Sequence, residues 1–392
     1  MKSPENQGWL PFKLDGELQP GEGLQGKKEI PDGYVSEVLP RTDETLVPTV
    51  DYEHAYEVLD RLMLAYDQNE PPYSRESTRL PHHPSHMPET LERGGVEHAV
   101  FMFSACYYMR GGIKSNDAVK RLSKVYAQRP ELFNCEIAKD VEEAEIEDIL
   151  RMNGLGFQKD IAKQWVENAG RLHEKYDGDP RNIFEGVETY EQSQKLIQND
   201  SKGGGFVGFK EKMTSMIIYF LMDEKLINGF NFPIPIDFHV LRVSIANEMI
   251  TFGDVPYGTD LFTDDTKREL RKLYFTYAEE RGVDPLRLCN AVWMLSESSC
   301  GRTPGNITLE PHGRKNREGR TAYLVPNQVD TTSPAQQKAY QESCGSCPIQ
   351  ETCEFNIPSK PYYVNGGLVV RGHRVRFPLP MPRPMDTHPT LY

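Results

Sequence analysis

The sequence predicts an all-α fold for the body of the chain. Three observations carry this. Apolar residues recur at helical spacing in ten successive segments, and strict alternation is missing until about residue 367. Helix-breaking or helix-starting residues separate the segments, such as Asn153-Gly154, Gly203-Gly204-Gly205 and Asp284-Pro285.

Residues 1–50 are rich in Pro, Gly and charge and read as an extended arm. From Asp51 to Gln68, Ala55, Val58, Leu59, Leu62, Met63 and Tyr66 follow a helical period. Residues 69–95 form a loop whose His82, His83 and His86 read as solvated Pro/His loop rather than as metal ligands. Helices are expected over 96–109, 116–128, 141–152, 160–176, 188–198, 212–222, 239–250 and 266–281. A further helix starts at Pro285, capped by Asp284, and runs to about Ser299. Gly367–Phe377 suggests a short hairpin around Gly372, followed by a Pro-rich extended tail.

No run of 18 apolar residues offers a membrane span, and the polar start has no signal-peptide core. A cytoplasmic protein is expected, associated with the nucleoid in a bacterium. The net charge of −13 opposes nucleic-acid binding at first sight. The charge is uneven, however: residues 301–392 carry 11 Lys/Arg against 7 Asp/Glu, which leaves −17 for residues 1–300. A local basic face still serves phosphate, because such contacts act within a Debye length of about 8–10 Å. Seven cysteines, an odd number, make a poor disulfide framework. Three of them, Cys344, Cys347 and Cys353, form C-x2-C-x5-C, the pattern of thiolates converging on one metal centre. A fourth ligand must come from elsewhere, and zinc and [4Fe–4S] are both compatible with thiolate ligation.

This cysteine run, CGSCPIQETCE, resembles the last three cluster ligands of endonuclease III-type DNA glycosylases, the iron–sulfur members of the helix-hairpin-helix (HhH-GPD) superfamily. The first ligand of that family ends a helix bearing a Trp and apolar residues. Val292-Trp293-Met294-Leu295, leading to Cys300, is similar, so the resemblance implies a [4Fe–4S] cluster on Cys300, Cys344, Cys347 and Cys353. Cys289, inside the helix, is left as a core residue. The family has six residues between its first two ligands, and this chain has 43. Similar insertions, iron–sulfur cluster loops, occur in relatives; this one carries Arg314, Lys315 and Arg317, which suit either phosphate contact or a solvated surface.

Three more segments carry the resemblance. Phe206-Val207-Gly208-Phe209-Lys210 before an apolar helix is similar to the family's hairpin, which grips a DNA phosphate with backbone N–H groups. That implies DNA contacts at Gly208 and Lys210 and puts Lys212 at the lysine that is catalytic in bifunctional members. Pro233-Ile-Pro-Ile-Asp237-Phe-His239-Val-Leu-Arg242 looks like the signature holding the essential carboxylate, so Asp237 is the implied catalytic residue, with His239 and Arg242 toward DNA. Asn153-Gly154-Leu155-Gly156-Phe157-Gln158-Lys159 resembles the segment that inserts an apolar wedge into the base stack, implying Leu155 as wedge and Lys159 beside it. Cys106 stands where thymine-glycol-type members have Gln; with Tyr107, Tyr108, Met109 and Arg110 it is the candidate base pocket.

The resemblance therefore implies an endonuclease III-like, two-lobed helical fold: an arm (1–50), a glycosylase core (51–299), an iron–sulfur region (300–356) and a short β tail (357–392). It implies a monomeric base-excision enzyme that flips a damaged or modified base out of double-stranded DNA and cleaves its N-glycosidic bond, with or without AP-lyase activity. A non-catalytic DNA-binding protein on the same scaffold is the alternative. A hydrolase of free or RNA-borne nucleosides is a third reading.

Overall fold

The computed structural model describes residues 46–74, 80–109, 115–198, 204–253, 260–300, 307–308, 322–330, 342–353, 362–370 and 378–379. Most of the N-terminal arm, Arg110, Arg314, Lys315, Arg317 and most of the Pro-rich tail lie outside these residues. The described body is helical, in the order α1 (Tyr52–Asp67), α2 (Val96–Cys106), α3 (Ser115–Gln128), α4 (Cys135–Ala138), α5 (Glu143–Met152), α6 (Gln158–Tyr176), α7 (Tyr190–Ile197), α8 (Glu211–Asp223), α9 (Phe238–Ala246), α10 (Asp264–Arg281) and α11 (Pro285–Ser298). None of these helices is long and apolar enough to cross a membrane.

Local chemistry sets the boundaries. Asp51 accepts a hydrogen bond from His54 N (3.1 Å) and starts α1. Thr189 and Gln192 form a capping box on α7. Asp284 accepts from Leu286 N (2.9 Å), with Pro285 opening α11. Gly282, at φ 62°, ends α10.

The helices bury two hydrophobic cores. One gathers side chains from α2 through α8, among them Phe101, Phe103, Trp165, Phe206, Phe209 and Phe220. The other gathers α1, α9, α10 and α11, with Leu59, Leu241, Tyr274 and Leu295. The first lobe is therefore inserted between α1 and α9 of the second. The chain returns through Phe232-Pro-Ile-Pro-Ile236: Phe232 belongs to the first core, Ile234 and Ile236 to the second. Cys289, on α11, packs against both and marks the seam.

Two details differ from the sequence expectation. Helix α9 stops at Ala246, four residues early, because the Asn247 side chain donates back to Val243 O (2.9 Å) and Glu248 takes a left-handed φ of 51°. The chain then forms β2 (Ile250–Thr251), antiparallel to β1 (Thr49–Val50). Toward the C-terminus a four-stranded antiparallel sheet has the order β3 (Ile307–Thr308), β4 (Ala322–Asp330), β5 (Tyr362–Val370), β6 (Pro378–Leu379). Its β5–β6 register pairs Gly367 with Pro378, and the anticipated turn around Gly372 lies outside the described residues. Its longest ladder is instead β4–β5, from Ala322↔Val370 to Asp330↔Tyr362, joining the insertion to the tail.

Candidate functional site

Asp237 follows the crossing between lobes at once and caps α9. Its Oδ1 accepts from His239 N (2.8 Å) and Val240 N (3.3 Å). Two backbone donors on one oxygen orient the carboxylate, and the positive end of the α9 dipole favours its charge. The carboxylate lies near the seam, since Cys289 feels the charge of Asp237 from α9 and of Asp223 from α8. Helix α9 is pinned to α11 twice: His239 Nδ1 shares a hydrogen bond with Ser296 Oγ (3.0 Å), and Arg242 donates to Ser296 O (2.9 Å).

The hairpin of residues 204–210 leads into α8. Phe206 and Phe209 anchor it in the first core against Phe103, whose ring stacks on Phe209 at 4.6 Å. Between them Gly208 holds φ 80°, a conformation glycine adopts without strain. Asn168, fully buried on α6, clamps the turn: its Oδ1 accepts from Val207 N (2.7 Å) and its Nδ2 donates to Val207 O (3.1 Å) and Tyr107 Oη (3.2 Å). Sequence reading missed Asn168, because a polar residue on an apolar stripe has no local signature of its partner. Helix α8 begins without a side-chain cap, and exposed Lys210 stands at its N-cap. Lys212, in the first turn, is half-buried and donates from Nζ to Met109 O (2.5 Å). Helix α8 also reaches α11, through a Tyr219 hydroxyl bond to Asn290.

The cysteine region is assembled across the 43-residue insertion. Residues 344–353 wind through successive turns, with Cys347 N donating to Cys344 O (3.1 Å), Gln350 N to Cys347 O (3.1 Å) and Cys353 N to Gln350 O (3.3 Å). Ile349 is buried in the second core, and Thr352 Oγ1 bonds Asn247 Oδ1 (3.1 Å) at the end of α9. Cys300, Cys347 and Cys353 all pack against that core. Burial pushes the Cys300 thiol up to about 12, with Arg242 pulling it down and Cys344 adding to the rise. Burial likewise raises Cys347, reinforced by Cys300 and then Cys344. Cys289 packs against the same core, from its place at the seam. A thiol raised in this way by burial ionises only against a compensating positive charge, which a thiophilic metal held by Cys300, Cys344, Cys347 and Cys353 would supply. Burial brings the Arg242 guanidinium down to about 10, while Cys300, Asp237 and Glu297 favour its charge.

Several expected contact residues lie elsewhere than anticipated. Leu155 is 0% exposed in the first core, so it is no wedge in this conformation; the exposed apolar side chains of the same turn are Met152 (77%) and Phe157 (62%). Phe157 is held at φ 55°, which sets it off the apolar stripe of α6, and Lys159 is exposed beside it. The turn is held from below, with Arg121 donating to Gly154 O and Leu155 N to Leu150 O (2.9 Å). Arg242 is buried beneath α9, packed 5.6 Å from the Phe238 ring, and does not face a DNA backbone. Cys106, Tyr107 and Tyr108 are core residues rather than the lining of an open pocket; Cys106 Sγ donates to Met102 O (3.5 Å) and Tyr107 packs on Trp165 and Phe209. His82 and His86 are buried, against the expectation of a solvated loop.

No family model and no curated protein matches the chain. Among solved structures, the chain is similar to the Methanocaldococcus jannaschii 8-oxoguanine glycosylase/lyase, crystallised with a 15-mer DNA containing 8-oxoguanine. The identity is 14% and the TM-score 0.41, over 61% of this chain and 96% of that one.

Proposed function

We propose that this chain is a DNA glycosylase of the helix-hairpin-helix type, with a [4Fe–4S] cluster held by Cys300, Cys344, Cys347 and Cys353. One observation carries the reading: Asp237 caps α9 directly after the chain crosses between lobes, and Arg242 of the same helix is bonded to α11, whose end leads to Cys300. The order of the hairpin, Asp237 and cysteine motifs along the sequence supports the same reading.

In this reading the enzyme bends its duplex and takes the target nucleotide out of the stack, because the glycosidic bond is unreachable inside it. Leaving of the base builds positive charge on the sugar. Asp237, oriented by two backbone N–H groups, stabilises that charge. The uncapped N-terminus of α8, with Gly208 and Lys210 before it, receives a phosphate through backbone donors and the helix dipole. Phe157, exposed at the 153–157 turn, takes the wedge role that the sequence assigned to Leu155. Lys212 supplies an amine in the first turn of the same helix; its nucleophilic attack on the sugar carbon would add lyase activity. A cluster on the four cysteines would cross-link residues 344–353 to the end of α11 through iron–thiolate bonds.

The test is single-turnover excision on duplexes bearing a panel of damaged and modified bases. Asp237→Asn is expected to abolish excision and leave DNA affinity nearly unchanged. Borohydride is expected to trap a covalent adduct in wild type and Lys210→Ala but not in Lys212→Ala. Excision that leaves only intact abasic sites, without an adduct, makes the enzyme monofunctional. Tight binding without excision of any base refutes the glycosylase and leaves a lesion-binding protein.

A further inference from the structure

Away from the cysteines, the described residues bring together a set of side chains able to ligate a metal ion. His82 lies in the loop between α1 and α2, Asp223 ends α8, and Glu224 follows it as the cap residue. A ring nitrogen of His82 and one carboxylate oxygen from each of Asp223 and Glu224 lie within 4.8 Å of one another. His82 is 2% exposed; its Nε2 bonds Asp223 Oδ2, and its ring packs against Tyr219 (5.1 Å) and Phe220 (5.2 Å). The Glu224 side chain is also buried.

An independent side chain is aimed into this cluster. His98 on α2 is 1% exposed, and Gly94 N donates to its Nδ1 (3.1 Å). A neutral ring then carries its proton on Nε2, which points at Glu224 Oε2 from 3.6 Å and meets no hydrogen-bond partner among the described residues. His82 Nδ1 is buried without a partner as well. Two adjacent carboxylates at the negative end of a helix, walled by aromatic rings, call for positive charge. Arg93 supplies part of it from a half-exposed position, in an ion pair with Glu224.

We propose that His82, Asp223 and Glu224 form a divalent-cation site suited to zinc, which fastens the loop before α2 to the C-terminal end of α8. One imidazole nitrogen and two carboxylate oxygens are an ordinary zinc donor set with water in the remaining position, and the same set binds manganese less tightly. His98 Nε2 faces Glu224 from outside the ligand set, where a small shift on ion binding would let it support the ligating carboxylate. Arg93 is the competitor: it leaves Glu224 when the ion binds. The site holds the end of α8 opposite the hairpin and Lys212, so an ion there stiffens the helix that presents them.

The experiment uses the full-length, iron-loaded protein, freed of loosely held metal with EDTA and titrated with Zn2+ alone. Calorimetry, metal analysis and thermal unfolding are read together. Wild type is expected to bind one more zinc than Asp223→Asn and to unfold at a higher temperature when zinc is present; zinc held by cysteines cancels in that difference. His82→Gln is expected to weaken zinc binding by about tenfold or more. Arg93→Gln, which leaves all three ligands in place, is expected to bind zinc several-fold more tightly than wild type. If the residues serve only as an ion-pair cluster, Arg93→Gln lowers the unfolding temperature and zinc changes nothing. That result, or equal zinc content in wild type and Asp223→Asn, overturns the proposal.

Discussion

Replacing Asn168 with alanine removes three hydrogen bonds at once from the clamp on the hairpin: from Val207 N, to Val207 O and to Tyr107 Oη. Leaving a buried donor or acceptor unsatisfied costs about 1–3 kcal/mol per group. Val207 is only half-buried, so water recovers part of the loss at its peptide groups, while the fully buried Asn168 site and Tyr107 are not so compensated. The expected destabilisation is about 2–3 kcal/mol, toward the upper end for a single substitution. Asn168→Asp keeps an acceptor for Val207 N but puts a negative charge against Val207 O; it is expected to cost at least as much. Urea unfolding followed by circular dichroism measures the stability. Amide hydrogen exchange around Val207 measures the hairpin itself and is expected to accelerate more than in the rest of the first core. A loss under about 0.5 kcal/mol with unchanged exchange at Val207 would refute the clamp.

Leu155→Ala is expected to cost about 2–5 kcal/mol as a core truncation, whereas Phe157→Ala stays within about 0.5 kcal/mol and slows single-turnover excision; equal excision by Phe157→Ala and wild type removes Phe157 from the wedge role. Cys300→Ser, Cys344→Ser, Cys347→Ser and Cys353→Ser are each expected to lose bound iron and the visible absorbance, while Cys289→Ser keeps both; colourless wild-type protein carrying a single zinc on these thiols would exclude the cluster. Burial lowers the affinity of His86 for a proton, against a hydrogen bond to Pro81 O that favours the charged ring. As pH falls below the ordinary imidazole value of about 6.5, the unfolded chain takes up a proton that native His86 refuses, so stability declines with acidification. His86→Asn is expected to flatten the pH dependence of the urea midpoint across that window, and an unchanged slope would show that His86 does not contribute.

The helices were legible in the sequence because each buries one stripe, and a stripe leaves a period in the residues that form it. The cap at Asp284 was legible for the same local reason: it bonds the backbone N–H of Leu286, two residues on. The cysteine motif and the Asp237 segment stand out in the sequence because each is a run of contiguous residues.

What the tertiary structure alone decided concerns contacts between residues far apart in the chain. Leu155 and Phe157 are both apolar and two residues apart, and nothing local says that one enters the core while the other faces solvent; the left-handed turn at Phe157 and the packing of α5 on α6 decide it. His82 read as part of a solvated loop until the fold brought the end of α8 against it. The basic loop between Cys300 and Cys344 contains a nine-residue strand paired with the tail, a partner no periodicity names. Asn168 became a clamp only because the hairpin folds back over α6. Periodicity records that a side chain is buried; which distant group it meets depends on how the elements pack, and the chemistry of a site lives in that second quantity.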